Sequence, residues 1–318
     1  VFAAGAALAV APALMTAATA PAAAATEPTG KQVPGVYRHK LGAFEVTAIN
    51  DGGAARPLEG FVRNAPLAEV QAAMQSVFLP TDKFNNVFNP ILLNTGSKLV
   101  LFDTGNGAFG APTTGRLVDG LKASGVDPKA IDLVIISHFH GDHINGLRGK
   151  DGVLTYPNAE IMVPAAEWDF WMDDAKMAAA PEAMKGAFAN VRRALGPSAK
   201  DLKRFAAGDE LVTGVQAVAA YGHTPRHTAF AIQSDGQRLM YVADSANHPV
   251  LFIERPNWSP VFDMNADQAR DTKRKLLDMA AAERMAIAGY HFPFPGFGNV
   301  AKDGDAYRYV PASWNPVL

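Results

Sequence analysis

The chain contains no cysteine. Disulfide staples, thiolate nucleophiles and sulfur-ligated metal sites are therefore excluded, and any metal must rest on nitrogen and oxygen donors. Charge of one sign is also missing, because 29 Lys and Arg stand against 31 Asp and Glu for a formal net charge of -2. That balance supplies neither the basic field that nucleic acid requires nor a cationic stripe for anionic lipid, so small-molecule partners are expected. Charge is wholly lacking at the start: the first charged residue is Glu27, and residues 1–25 hold only Ala, Val, Leu, Phe, Met, Gly, Pro and Thr. This stretch closes on Ala23-Ala24-Ala25 and reads as a secretory signal peptide. It is long enough to cross a bilayer, but Pro12, Pro21 and the many alanines make it a poor anchor. The expectation is a periplasmic or secreted protein with no stable membrane anchor.

What is present suits a globular enzyme. A chain of 318 residues, 48% hydrophobic, can bury a large core. Residues 26–35 are rich in Pro, Gly and Thr and read as a flexible lead; residues 36–318 show no linker or repeat and read as one domain. Alternation over Val36 to Ile49 around Leu41-Gly42 predicts a hairpin. Pro66 to Phe78 has helical spacing, and strand-like runs follow at Val87 to Leu93 and Lys98 to Phe102. A helix is predicted over 114–124, and Ile131 to Ile136 has the β-branched, apolar character of a buried central strand. An aromatic-rich helical segment spans Ala165 to Leu195 with a break near Pro181. Strands then recur at Leu211 to Ala219, Ala229 to Gln233 and Leu239 to Ala243, followed by a helix over Ala266 to Ala282 and a strand over Met285 to Ala288. The order predicts an α/β sandwich.

The central strand runs directly into His138-Phe139-His140-Gly141-Asp142-His143, four metal-competent side chains within six residues. In an extended continuation His138 and His140 project to one face, and the turn that follows presents Asp142 and His143 nearby, an arrangement suited to two adjacent metal positions. A lone histidine in a polar loop would by default do no more than hydrogen-bond. The density here argues for a catalytic zinc, or for Mn, Co or Fe, on imidazole and carboxylate donors.

This segment resembles the HxHxDH signature of the metallo-β-lactamase superfamily. Three further elements are similar to that family's: Gly222-His223-Thr224-Pro225-Arg226-His227-Thr228, the strand-terminal Val242-Ala243-Asp244, and the turn Phe102-Asp103-Thr104-Gly105. His291 stands where a last histidine is expected. The resemblance implies an αββα sandwich of the metallo-β-lactamase fold with a helical insertion. It implies that His138, His140 and His223 hold one divalent ion, that Asp142, His143 and His291 hold the other, and that Asp244 bridges them. Asp103 would then orient a ligand histidine, its alternative being a turn carboxylate that caps backbone amides; His227 is matched to a structural position. His39 reads as a surface residue and His248 as a pocket or loop residue.

From about Val33 to Pro316 the resemblance narrows to the group of methyl parathion hydrolase and its lactone- and arylester-hydrolysing relatives, carried by Val33 to Arg38, Phe44 to Ala48, Glu167 to Met172 and His291 to Gly296. It implies that a hydroxide shared between two divalent ions, zinc above all, attacks a lactone, aryl ester or organophosphate triester, with Asp142 and Asp244 as catalytic carboxylates. Phe109, Trp171 and Phe188 fall where that group places aromatic pocket walls, although aromatics on helices suit a core equally well and Trp168 and Trp171 would share a helix face. A homodimer is also implied. The loop Asp244 to His248 and the stretch Pro57 to Arg63 depart from the group. With no cysteine and with Asp244 present, the set is unlike that of true zinc β-lactamases, which argues against antibiotic hydrolysis. The alternative on the same fold is a non-hydrolytic mononuclear iron protein that oxidises a thiol or persulfide, against which the complete donor set weighs.

Overall fold

A computed structural model describes residues 27–318. The signal-peptide reading of residues 1–25 lies outside them. Internal contacts divide the chain into Val1–Val33 and Pro34–Leu318. Residues 27–35 contain no helix or strand, and the architecture below is that of the second unit.

The predicted hairpin is β1 (Val36–Leu41) with β2 (Phe44–Ile49), in register from Val36 opposite Ile49 to Leu41 opposite Phe44. Next come β3 (Gly53–Pro57), α1 (Leu67–Gln75) and β4 (Lys83–Val87). The predicted run Val87 to Leu93 is therefore not one strand. It divides at Phe88-Asn89-Pro90, where proline lacks a donor for continued pairing; β4 turns aside to pair with β3, and β5 (Ile91–Asn94) joins β2. The chain continues through β6 (Leu99–Phe102), α2 (Leu117–Ala123), β7 (Leu133–Ile135), α3 (Gly141–Ile144) and β8 (Glu160–Pro164). The aromatic helical segment is α4 (Ala165–Trp171), α5 (Asp174–Ala179) and α6 (Glu182–Leu195), broken at Pro181 and also at Asp173, whose carboxylate caps α5 by accepting from Ala175 and Lys176 N–H.

After β9 (Lys203–Phe205) the predicted strand Leu211 to Ala219 is a hairpin of β10 (Glu210–Val212) and β11 (Val215–Ala219), turned by Gly214 at φ 81°. Strands β12 (Thr228–Ser234) and β13 (Gln237–Ala243), helix α7 (Ala266–Ala282), and strands β14 (Ala286–Gly289), β15 (Phe297–Asp303) and β16 (Ala306–Pro311) complete the fold.

Two seven-stranded sheets result, one ordered β1-β2-β5-β6-β7-β8-β9 and one β10 through β16. Side-chain alternation builds three cores. Phe102 and Ile135 meet Phe230, Ile232 and Tyr241 between the sheets. Leu101 and Val134 face the other way, under α2, α4 and α6, while Met240, Val242 and Ile287 lie under α1 and α7. This is an αββα sandwich with its extra helices between β8 and β9. In each sheet a parallel pair sits centrally, β6-β7 in one and β13-β14 in the other. All four of these strands deliver their C-terminal ends, with Asp103, Ser137-His138, Asp244 and His291 just beyond, to one rim. Open α/β sheets carry ligands at such ends.

Candidate metal centre

Strand β7 ends at Ile135, and three residues later His138 is fully buried with Nδ1 3.0 Å from Ser137 Oγ. The chain then extends through His140 and coils into the single turn α3, which swings Asp142 and His143 towards the same point. From the second sheet the β11–β12 loop supplies His223, the residue after β13 is Asp244, and His291 follows two residues after β14. Two groups of donor atoms form, each within 4.8 Å of one another: His138, His140, His223 and Asp244, and beside them Asp142, His143 and His291.

Asp244 stands between the groups. Its Oδ2 is 3.2 Å from His223 Nε2 and 3.1 Å from His291 Nε2, and its Oδ1 is 3.3 Å from His143 Nε2. Asp142 Oδ2 lies 3.4 Å from His291 Nε2 and 3.6 Å from His143 Nε2.

The outer nitrogens of the histidines are already committed. His143 Nδ1 meets Asp103 Oδ2 at 2.8 Å, His223 Nδ1 meets Asp263 Oδ1 at 2.9 Å, and His291 Nδ1 donates to the Val87 carbonyl at 2.8 Å. Each leaves Nε2 aimed inward, the arrangement in which a carboxylate or carbonyl behind a histidine fixes tautomer and basicity. Asp103 also accepts from Ser137 N–H at 2.8 Å and Ser137 Oγ–H at 2.9 Å, so it both faces His143 and caps the turn. His227 stays outside the cluster: it donates from Nδ1 to the Ala220 carbonyl, and its Nε2 accepts the Asp244 N–H at 3.1 Å, which steadies that residue's backbone. Asp103 at φ 62° and Ala243 at φ 45° hold left-handed backbone immediately at these two carboxylates.

The donors fit a cation. Among the described residues, buried His138 Nε2, His143 Nε2 and Asp244 Oδ1 have no hydrogen-bond partner, although unpaired buried polar atoms are costly. His223 Nε2 and His140 Nδ1 point at each other across 2.9 Å. Burial works against charge on His143 and His223, yet Asp244 with its fellow carboxylates outweighs it, lifting His143 well above its ordinary range and His223 to about 9. His140, held by burial and by His223, is pushed down to about 3. Burial also opposes charge on Asp244, but His291 and His143 hold it well below the usual carboxylate range. The carboxylates call for positive charge at a point lined with lone pairs, which is what a divalent cation supplies.

The centre floors a cavity of about 420 Å³. Phe61, Phe88, Phe109 and Phe262 line it with Arg56, and asparagines contribute the polar wall. Phe109 is on this wall, its ring covered by the Arg193 guanidinium at 3.7 Å. Trp171 and Phe188 are not. They pack against each other at 4.7 Å in the core under α4 and α6, 1% and 0% exposed, because the aromatic faces of those helices turn onto the sheet. Trp168 belongs to the same core, and His39 is half-buried against Phe297 rather than at the surface. His248 is buried edge-on to Phe84. Sequence reasoning missed Asp263, which has no local motif, and Asp51, which accepts from Asn106 and Leu117 N–H at 2.8 Å each and so ties down the loop that carries Phe109.

An αββα sandwich with this rim of histidines and aspartates defines a metallo-hydrolase with a His/Asp metal-binding cluster. The chain belongs to the metallo-beta-lactamase superfamily, whose family profile matches residues 89–291. Probable metallo-hydrolases of Mycobacterium tuberculosis and Mycobacterium bovis are each 24% identical over 219 residues, 59% of this chain and 68% of theirs. Among solved structures, the dizinc quorum-quenching lactonase AidC, in complex with a product N-hexanoyl-L-homoserine, shares 29% identity at a TM-score of 0.84 and is covered over 99% of its length by 89% of this chain. The hydrolase AbOPH of the beta lactamase superfamily shares 26% identity at a TM-score of 0.84, with 90% of this chain and 100% of that one covered.

Proposed function

We propose that this chain is a dinuclear metal-dependent hydrolase that opens lactones or cleaves aryl esters, with organophosphate triesters as further substrates. The observation that carries this reading is the placement of Asp244 between two triads of inward-facing donors, three of the buried atoms unpartnered, at the floor of an aromatic cavity. The likeness to a dizinc lactonase over nearly the whole of both chains supports it. His138, His140 and His223 would hold one ion, Asp142, His143 and His291 the other, and Asp244 would face both. Two divalent ions held there, zinc foremost, would supply a nucleophile from water at neutral pH and would polarise the substrate oxygen. The chain's own residues do the rest. Asp103, Asp263 and the Val87 carbonyl hold three imidazoles with Nε2 turned inward. Asp142 retains 23% side-chain exposure at the cavity floor, where it can take up and return a proton. Phe61, Phe88, Phe109 and Phe262 receive a flat or apolar group, and a phenolic leaving group of low pKa requires no strong general acid.

The reading is tested by metal analysis of reconstituted protein and by parallel hydrolysis of an aryl ester or dihydrocoumarin, an acyl-homoserine lactone and methyl parathion. We expect close to two ions per chain and turnover of at least one carbonyl substrate. A ratio near one after full reconstitution removes the dinuclear site. Inertness of fully loaded protein towards all three substrates removes the ester chemistry and returns thiol or persulfide oxidation.

A further inference from the structure

Glu167 has no exposed surface, although a carboxylate is among the costliest side chains to bury. It sits on α4 and belongs to neither group of donors. Its oxygens serve different elements. Oε1 accepts from Trp171 Nε1–H at 3.2 Å, one turn along the same helix, and Oε2 accepts from the Arg226 backbone N–H at 3.1 Å. The Phe139 backbone N–H also faces this carboxylate and favours its charged form.

Those two amides have telling positions. Phe139 stands between His138 and His140, and Arg226 lies in the loop between His223 and His227. One buried carboxylate thus bonds to the loop that carries His223 and faces an amide of the segment that carries His138 and His140, two stretches that come from different sheets and hold the three histidines of one donor group. The other group is braced elsewhere: His143 by Asp103, His291 by the Val87 carbonyl, and Asp142 by its backbone carbonyl accepting from Tyr290 OH at 2.6 Å. None of those bonds passes through Glu167.

We propose that Glu167 is a positioning residue that sets the spacing of the His138–His140 and His223 loops, and so governs retention of the ion held by His138, His140 and His223 while leaving its neighbour largely unaffected. Trp171 acts as the anchor that holds Glu167 in place. The inference rests on the two-ion reading of the centre.

The experiment follows zinc transfer from loaded wild type, Glu167→Gln and Trp171→Phe to a chromophoric chelator, with thermal unfolding recorded on the same samples. Glutamine keeps the shape but sets an amide N–H against a donor. We expect one of the two release steps to weaken about tenfold in Glu167→Gln, the scale of a lost bond behind a metal ligand, and the other to stay within about twofold. Trp171→Phe should weaken the same step by a smaller factor, and it decides the matter alone should the glutamine variant not fold. His291→Ala assigns the step, because the single ion it retains must be the one that Glu167→Gln weakens in the double variant. Equal loss in both steps, or a lowered melting temperature with both affinities unchanged, overturns the proposal and leaves Glu167 a packing residue. Release of a single ion by wild type would instead overturn the two-ion reading, and Glu167 would then be judged on that ion alone.

Discussion

At the scale of residues, what the sequence reveals depends on how local the chemistry is. His138 to His143 could be read because donor type and spacing lie within six positions after a strand. His223, Asp244 and His291 are separated by tens of residues, and only their resemblance to family elements marked them. Asp263 had no mark at all: it is forty positions from His223 and meets it only because the loop before α7 folds back. Trp171 and Phe188 went astray for a related reason, since a helix pattern shows that aromatics share a face but not whether a cavity or a sheet lies opposite. The carboxylates behind the histidines carry a direct consequence. Asp103→Asn keeps the shape of the turn but loses the charge facing His143 Nδ1, so metal affinity should fall by about 10- to 100-fold. Competition against a chelator reads this, and an unchanged affinity would reduce Asp103 to a cap for Ser137.

At the scale of elements, long strongly patterned segments were legible and their interruptions were not. Helix α7 matches its predicted span because Asn265 caps it by accepting from Gln268 N–H and because Ala269, Leu276, Leu277 and Ala280 recur on one face. The division of Val87 to Leu93 depends on which partner each half finds, and that is tertiary information. Helix α7 also presses on the site. Gly222 has φ 123°, and a Cβ there would run into the Ala269 backbone. Gly222→Ala should therefore cost about 1–3 kcal/mol or more and shift the His223 loop, seen together as a lower melting temperature and weaker metal binding; a variant with neither change would show that this contact relaxes freely.

The same helix buries Lys273, whose ammonium donates to the Trp258 carbonyl at 2.6 Å and lies 5.2 Å from the Phe252 ring centroid. Burial pushes its pKa down to about 7 from 10.5. The folded state therefore binds fewer protons than the unfolded chain between about pH 7 and 10.5, so its burden on stability is full below that window and is relieved as pH rises through it. Lys273→Met should flatten this slope. Urea unfolding at several pH values measures it, and an identical slope in the variant would mean that the lysine keeps its proton in the fold.

At the scale of the whole molecule, the donors are shared between the sheets. His138, His140, Asp142 and His143 follow β7 of the first sheet, while His223, Asp244 and His291 belong to the second. Neither sheet completes either group of donors alone, so on the proposed two-ion reading each ion would clasp one half of the sandwich to the other across the rim of the intersheet core. An α/β sandwich was legible because strand and helix runs alternate in blocks, and the family resemblance made it αββα, but this division of labour was not legible, since it follows from which strands become neighbours. Its consequence is thermodynamic. A ligand that binds the folded state alone stabilises it by about 2.7 kcal/mol at a free concentration one hundred times its dissociation constant. For two sites in a domain of this size, where 1 kcal/mol moves the midpoint by about 2–4 °C, removal of metal with a chelator should lower the melting temperature by on the order of 10 °C, and zinc should restore it. His138→Ala and His291→Ala, which take donors from opposite sheets, should each forfeit part of that gain. Equal melting temperatures for metal-free and loaded protein would mean that the sheets are held in place by the Phe102, Phe230 and Tyr241 core alone, with the ions resting on a rim already formed.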